Sequence, residues 1–234
     1  MRIYSSWWHL TATLGFIILP FLFLLVFSQF AHIAKSQLFY DVFVSFVRLF
    51  IAYIFAVLLG WGAAVSFWRG KRATIALPIF DVLQSFPTFA ALPLAVYIWG
   101  VSNVTVIFFL VLTVIWPIFF SVVSSLKLAK REWEEAVELA DLQGMAYIVN
   151  YIWPVTIPGV ITGSIIGLGE GWEALVATEI IVGVRNGLGQ FFQMFSTNSV
   201  ITSFGILGFL IVIFSINKLV WFPLLEWSHR RMEE

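Results

Sequence analysis

The stretch NVTVIFFLVLTVIWPIFFSVVSS, residues 103–125, contains no charged side chain. A helix needs about 20 mainly apolar residues to cross the hydrocarbon core of a bilayer, so this stretch is long enough to do so. The rest of the chain is similar, because 61% of its 234 residues are hydrophobic, 11% are charged and the mean hydropathy is +0.97. Soluble domains are about 25% charged. The composition therefore indicates a membrane protein whose surface is largely solvated by lipid.

The charge balance and the lack of cysteine exclude several function classes. The formal net charge is zero, which gives no basic surface for nucleic acid. Without cysteine there are no disulfides, thiolate metal sites or thiol nucleophiles, and the three histidines lack the spacing of metal ligands. The chain also lacks a Gly-rich phosphate loop ending in Gly-Lys-Ser/Thr, so we do not expect it to hydrolyse ATP by itself.

Six stretches are candidate membrane helices. They lie at roughly 10–30, 42–67, 84–100, 103–125, 157–183 and 201–225. The first is interpreted as a retained span and not as a cleaved signal peptide, since its apolar run is long and no small-residue cleavage site follows. The third is interrupted by Pro87 and Pro93, which neighbouring helices can accommodate. The sequence thus predicts an all-α, multi-pass membrane protein.

The cations between the spans predict the orientation and the domain organisation. They follow the second, fourth and sixth spans: Arg69, Lys71 and Arg72, then Lys127, Lys130 and Arg131, then Arg230 and Arg231. Arg2 precedes the first span. By the positive-inside rule both termini are cytoplasmic. We therefore expect a first helix and outer loop at 1–41, a core at 42–225 with a cytoplasmic loop at 127–157, and a cytoplasmic tail at 226–234.

The loop at 127–157 is too long and too charged for a plain connector. Its first part contains the carboxylates Glu132, Glu134, Glu135, Glu138 and Asp141. Ala136, Leu139 and Ala140 share one face at helical spacing, which predicts a short amphipathic helix. Gly144 ends this helix, and two prolines mark the return to the membrane. A folded loop that presents a helix in this way is expected to dock a partner.

Two parts of this loop resemble a family motif. The stretches EAVELAD at 135–141 and WPVTIPG at 153–159 resemble the "EAA" loop of binding-protein-dependent ABC permeases. In that pattern Glu-Ala-Ala is followed four residues later by Gly and then by a hydrophobic-Pro pair, with which Pro154 is in register. Val137 replaces the second alanine, and Asp141 replaces the glycine that permits a bend after the docking helix. Aspartate tolerates left-handed backbone geometry, so we expect the bend to survive.

Other stretches resemble the nitrate, sulfonate and taurine permeases of that family. FPTFAALPL at 86–94, ending in Trp99-Gly100, looks like their third span. Further matches are Trp172, Val176, Ala177 and Glu179 in the fifth span and Gly187-Leu188-Gly189 after it. The resemblance covers about residues 42–225. It implies a type I ABC importer permease fold in a bacterial-type inner membrane.

The resemblance also implies an assembly around this chain. A second permease subunit, two ATP-binding cassette ATPase subunits and an extracytoplasmic solute-binding protein are the expected partners besides the lipid bilayer. ATP and Mg²⁺ would be held by the ATPase, and no cofactor by this chain. The residues expected to couple to the ATPase are Glu134, Glu135, Ala136, Glu138, Ala140, Asp141 and Gly144. A closing ATPase dimer would then rotate the fourth and fifth spans as rigid bodies.

Small residues form a ridge on the fifth span. Gly159, Gly163, Gly167 and Gly171 recur every four residues, which lets two helix backbones approach closely. Two interpretations stay open. The ridge packs against another helix of the same chain, or it forms a dimer interface along the transport pathway, and with two permease subunits around a central route both could hold.

Three carboxylates lie in the same span. Each costs roughly 2.5–3.5 kcal/mol inside a membrane, so each should face a cavity or a partner. At about 100° per residue, Glu170 and Glu173 share a face and Glu179 lies nearly opposite Glu170. Arg48 and Lys218 are candidate counter-charges for Glu170 and Glu173, and contact with the solute in a cavity is the alternative. Glu179 is expected to form a gate or a structural hydrogen bond near the outer end.

The solute and two other functions stay open. The resemblance implies an oxyanion such as nitrate, sulfonate, taurine or bicarbonate, but an acidic route without nearby cations would favour a cationic or zwitterionic solute. A secondary transporter driven by an ion gradient should show an internal repeat with broken helices, and none is evident. A non-transporting scaffold or assembly subunit explains the hydrophobicity but not the folded loop or the intramembrane acids. Whether the permease dimer is a homodimer or a heterodimer is also open.

Overall fold

The computed structural model describes the backbone of residues 3–233 and the side chains of residues 13–228. Over this range the chain is helical, without β-strands, and two π-helical turns, Ile148–Ile152 and Asn217–Trp221, join α-helices end to end. The α-helices are α1 Ile3–Phe30, α2 Lys35–Phe67, α3 Gly70–Gln84, α4 Thr88–Trp99, α5 Asn103–Lys127, α6 Arg131–Leu139, α7 Gly144–Tyr147, α8 Trp153–Val182, α9 Leu188–Met194, α10 Ser199–Ile216 and α11 Phe222–Glu233. The predicted all-α class is confirmed.

Several helical segments are long and apolar enough to cross a membrane. Within the described range they are Thr13–Phe30, Lys35–Phe67, Asn103–Lys127, Gly144–Val182 and Ser199–Ser228. The pair α3 and α4 would be a sixth crossing if the two helices count as one span, although they are bent by 81°. Six predicted spans therefore correspond to five helices and one bent pair.

The predicted bounds of the third span, 84–100, are wrong. Its helical structure begins at Gly70, and α4 alone has 12 residues. At 1.5 Å per residue α4 is about 18 Å long, well short of the roughly 30 Å hydrocarbon core. The break falls where Pro87 precedes α4. Proline has no backbone N–H, and it disfavours helical geometry in the residue before it, which favours a break between α3 and α4 at this point.

The core of the bundle consists of α5 packed on α8, with α2 against α5. Leu49, Val114, Ile118 and Leu175 are buried there. These side chains come from α2, α5 and α8, and each helix contributes apolar positions at helical spacing. The three helices therefore form one packed unit, around which the other helices are arranged.

The glycine ridge of α8 makes its close contact within the chain. A Cβ atom on Gly163 would lie 2.6 Å from the Cα of Ile118, and one on Gly159 would lie 2.6 Å from the carbonyl oxygen of Ser121. Both neighbours are backbone atoms of α5, which cannot move aside as a flexible side chain could. Along Gly159–Gly171 the ridge therefore serves the α5–α8 contact.

The bundle has two ends, named here by their residues. The α6 end contains α6 and α7, together with Arg69, whose guanidinium lies 5.8 Å from the ring centre of Tyr147. The opposite end contains the loop 183–187 between α8 and α9. Two predicted cation clusters, at 69–72 and 127–131, thus share the α6 end. The side chains of Arg2, Arg230 and Arg231 lie outside the described residues.

Candidate functional site

Helix α6 projects from the bundle with one face packed and one face open. Trp133 and Val137 are half-buried and pack against the core. On the other face Glu135, Ala136 and Leu139 are exposed, and Leu139 is 89% exposed. Carboxylates in the first turn of α6 interact favourably with the positive end of the helix dipole. The sequence-predicted amphipathic helix is present, and its small apolar residues face outward.

The bend after α6 is built on Asp141. Asp141 has φ +46°, in the left-handed region, and its N–H donates to the carbonyl of Glu138 at 3.2 Å. The N–H of Leu142 donates to the carbonyl of Val137 at 3.2 Å, which completes a Schellman cap. The Gln143 amide donates to the Asp141 carboxylate at 2.7 Å. Asp141 therefore occupies the position that glycine usually takes, and the expected bend is present.

The inner face of α6 is held by aromatic side chains of the helical segment that leads into α8. The Tyr151 hydroxyl donates to the Glu134 carboxylate at 3.4 Å. The rings of Tyr147 and Tyr151 lie 5.3 Å apart. Glu134 and Glu138 line a cavity together with Tyr147 and Tyr151, whereas Glu135 and Leu139 are exposed on the other face of α6. The sequence prediction treated all of these residues as one docking set, and the structure divides them between two faces.

Exposed apolar side chains surround the outer face of α6. Leu128 is 79% exposed and Met145 is 73% exposed. A cavity of about 670 Å³ also lies between α6 and the start of α8, lined by Ala136, Pro154 and Trp227 among others. Exposed apolar groups bordered by carboxylates are characteristic of an interaction surface. We call this set, Leu128 with Glu135, Ala136, Leu139, Ala140 and Met145, the α6 surface.

A buried polar cluster lies at the opposite end of the bundle. Glu179 on α8 is 1% exposed and accepts hydrogen bonds from Ser45 at 2.8 Å and from the N–H of Gly189 at 2.8 Å. Arg48 on α2 forms an ion pair with Glu179 at 2.5 Å. The guanidinium also donates to the side chain of Asn103 at 2.9 Å. The charge of Glu179 is thus neutralised, and its oxygens are satisfied within the protein.

The same cluster anchors the loop that follows α8. Arg48 donates to the carbonyl of Asn186 at 2.7 Å. The N–H of Gly187 donates to Asp41 at 2.9 Å, and the N–H of Leu188 donates to Ser45 at 2.8 Å. Three successive amides, those of residues 187–189, therefore end on side chains of α2 and α8. The structural hydrogen bond expected for Glu179 is present, and it belongs to this network.

The predicted counter-charges do not pair with Glu170 or Glu173. Arg48 pairs with Glu179, and the Lys218 ammonium lies 5.6 Å from the ring centre of Phe222. Among the described side chains, the two ion pairs present involve neither Glu170 nor Glu173. Of the two alternatives given for Glu170 and Glu173, the ion pair is therefore not observed among the described side chains, because Arg48 pairs with Glu179 instead.

Glu170 and Glu173 instead lie exposed on one side of α8. Glu170 lines a cavity of about 550 Å³ at the junction of α3, α4, α5 and α8. Polar groups of Gln84, Thr88 and Thr113 line the same cavity. The structure thus separates Glu170 and Glu173 from Glu179, as their angular positions predicted.

Sequence reasoning missed Asp41, Ser45 and Asn103 as members of the polar cluster. Ser45 and Glu179 are separated by 134 positions in the chain. The available signal was the polar residue Ser45, three positions before Arg48 in a mainly apolar span. Its partner could not be deduced from the pattern.

Comparisons with known proteins point in one direction. A protein-family model described as "Binding-protein-dependent transport system inner membrane component" matches residues 56–232. The nitrate import permease protein NrtB of Synechocystis sp. is 29% identical over 152 residues, which are 64% of this chain and 55% of the relative.

Two further relatives show similar coverage. The taurine transport system permease protein TauC of Escherichia coli is 29% identical over 150 residues, 64% of this chain and 54% of the relative. The bicarbonate transport system permease protein CmpB of Synechococcus elongatus is 22% identical over 155 residues, 66% of this chain and 56% of the relative. The chain spans about half the length of the curated relatives it matches.

Proposed function

The chain belongs to the family of binding-protein-dependent transport system inner membrane components, and on this premise we propose that it is the membrane-spanning permease subunit of an ATP-driven importer. The family and the membrane-crossing helices make it a multi-pass inner membrane protein. The observation that carries the functional proposal is the α6 surface. It presents apolar and acidic side chains away from the bundle. In the order of the chain, α6 lies between α5 and α8, the two most extensively packed core helices.

We place the α6 end in the cytoplasm, because the cations at 69–72 and 127–131 gather there. Two ATP-binding cassette subunits, which hold ATP and Mg²⁺, then meet the α6 surfaces of two permease subunits. An extracytoplasmic solute-binding protein delivers the solute to the opposite end. The described chain supplies the route, and the ATPase supplies the free energy.

A push on α6 has a direct path into the membrane. Trp133 and Val137 seat α6 against the core, and Glu134 joins it to Tyr151. The helical segment from Gly144 to Val182 has 39 residues, and it is about 58 Å long at 1.5 Å per residue. Because α8 contacts α5 through backbone at its glycines, the two helices should move together. Rigid-body rotation of packed helices is an established switching mode.

The transport route is proposed along the exposed side of α8. Glu170 and Glu173 lie on this side, and the cavity beside Glu170 also contains hydroxyl and amide side chains. The glycine ridge faces α5 instead, so it positions α8 and leaves the exposed side to a second permease subunit. The route therefore lies between two copies or homologues of this chain.

The proposed solute is a small polar molecule. The names of the relatives make small oxyanions the first candidates. A zwitterion with an amino group is the second candidate, because Glu170 and Glu173 form no ion pair among the described side chains. A carboxylate inside a membrane route repels an anion and attracts an ammonium group.

The coupling role is tested by copurification. The full chain is coexpressed with candidate ATPase subunits, and the complex is purified before and after the double change Glu135→Arg with Ala136→Asp. We expect the complex to be lost, because both changes lie on the exposed side of α6. The first reverses the charge at Glu135, and the second introduces a charge at Ala136. Lys71→Glu, an exposed charge reversal on α3, is the control and should keep the ATPase.

Transport assays then separate the rival functions. In vesicles containing the complex, uptake should require ATP and persist when a protonophore dissipates the ion gradient. Uptake that follows the gradient would support a secondary transporter. An unchanged ATPase complex in the α6 double variant would contradict the proposed docking.

A further inference from the structure

A long apolar cavity lies between α1, α2, α9 and α10, with Trp172 of α8 in its wall, and it shares no lining residue with the cavity beside Glu170. Its volume is about 390 Å³, and its walls are mainly phenylalanine and aliphatic side chains. Phe21 and Phe43 line it and remain 59% and 63% exposed, so the cavity opens toward the surrounding bilayer between α1 and α2. Because both helices are long enough to cross a membrane, the medium at this opening is hydrocarbon.

The cavity has the dimensions of one extended hydrocarbon chain. On α1 it extends from Phe16 to Phe27, and on α10 and its continuation it extends from Gly205 to Leu219. At 1.5 Å per residue these stretches are about 17 and 21 Å long. One leaflet of a bilayer contributes about 15 Å of hydrocarbon, half of its roughly 30 Å core. A single acyl chain can therefore lie in this cavity along most of its length.

One wall atom points to the chemistry of the occupant. The hydroxyl of Ser215 is buried, with the residue 3% exposed, and it has no hydrogen-bond partner among the side chains and backbone groups that the structure describes. Ser215 lines the cavity. A buried hydroxyl without a partner is unfavourable, so the occupant should carry an acceptor at this point. A pure hydrocarbon would offer this hydroxyl no acceptor.

The depth of Ser215 matches that of a lipid ester. Lys218 follows it by three residues and is exposed, so its ammonium group can extend toward the head groups at the end of its flexible chain. Ser215 is about 4.5 Å further into the membrane along the helix. Ester carbonyls lie just inside the head groups, so an acyl ester entering near Lys218 brings a carbonyl to Ser215 and its chain toward Phe191.

We propose that this cavity is a binding site for one acyl chain of an ester-linked phospholipid, whose carbonyl accepts the hydrogen bond of Ser215. The lipid would fill the contact between α1 and the rest of the bundle. The proposal does not depend on the solute or on the ATPase.

The test uses Trp172, which also lines the cavity. The full chain is reconstituted in vesicles of phosphatidylcholine with brominated acyl chains, which quench nearby tryptophan. The signal of Trp172 is the difference between the wild type and Trp172→Phe. Unbrominated dioleoyl phosphatidylcholine and its ether-linked analogue then compete for the site. We expect the ester lipid to compete about fivefold better, which corresponds to one ordinary hydrogen bond.

Three variants decide the outcome. Ser215→Leu fills the cavity and should abolish the quenching of Trp172, whereas Ser203→Leu, the same substitution at an exposed position of α10, should leave it unchanged. Ser215→Ala removes only the hydroxyl and should reduce the fivefold ester preference to parity. Equal quenching in Ser215→Leu and Ser203→Leu would overturn the site. Equal competition by ester and ether lipids in the wild type would overturn the role of Ser215. If Ser215→Leu does not fold, the result for Ser215→Ala decides alone.

Discussion

The change Glu179→Ala tests the buried polar cluster most directly. Glu179 accepts hydrogen bonds from Ser45, Arg48 and the N–H of Gly189, and it is 1% exposed. Truncation removes the only carboxylate that pairs with Arg48 among the described side chains. The guanidinium then stays buried with two neutral acceptors, the Asn103 side chain and the carbonyl of Asn186.

The expected loss of stability follows from that uncompensated charge. Removing one partner of a buried ion pair costs about 3–5 kcal/mol. Arg48→Met alone should cost a similar amount, since it leaves Glu179 as the unpaired charge. The double variant should be about 1–3 kcal/mol less destabilised than the sum of the two single changes, because neither charge then remains buried alone.

Two measurements follow this prediction. The free energy of unfolding in mixed micelles gives the energies for the double-mutant cycle, with Glu173→Ala, an exposed carboxylate on the same helix, as the control. Hydrogen exchange reports the amides of residues 187–189, which donate to Asp41, Ser45 and Glu179. These amides should exchange faster in Glu179→Ala. The reasoning is refuted if Glu179→Ala is as mild as Glu173→Ala, or if the two single changes are additive.

Two further predictions concern backbone geometry. Gly163→Val should prevent folding, because its Cβ would lie 2.6 Å from the Cα of Ile118, and the chain should not elute as a single monodisperse peak on size-exclusion chromatography. In the control Gly169→Val the new Cβ has no atom within 4 Å, so this variant should fold normally. Normal folding of both variants would contradict the close packing of α5 on α8. Asp141→Gly should raise the free energy of unfolding by up to about 1 kcal/mol, because glycine adopts the left-handed conformation with φ +46° more readily. Asp141→Val should lower it by about 1–2 kcal/mol. Thermal unfolding measures both changes. A lower stability of Asp141→Gly would show that the Asp141 carboxylate matters more than its backbone.

The sequence alone was sufficient for features that depend on local pattern. Apolar runs of about 20 residues predict membrane helices because the bilayer requires every backbone group to be bonded within the helix. The amphipathic α6 and the bend at Asp141 could also be predicted, since helix periodicity and left-handed tolerance are properties of a few neighbouring residues. The spacing of the α8 glycines likewise indicated a close helix contact.

Only the tertiary structure decided which groups meet. The glycine ridge was compatible with a contact inside the chain or between chains, and the position of α5 selects the former. Arg48 was a candidate counter-charge for Glu170 and Glu173 by charge alone, yet its partner is Glu179. The bend of 81° between α3 and α4 was likewise absent from the predicted third span.

The physical reason is the range of the interactions. Helix formation is governed by residues within a few positions of one another, so it can be predicted from the sequence. The partner of a buried charge depends on how whole helices are rotated and stacked, and Ser45, Arg48 and Glu179 are brought together across more than 130 positions. The buried hydroxyl of Ser215 became informative only when the surrounding helices enclosed a cavity around it.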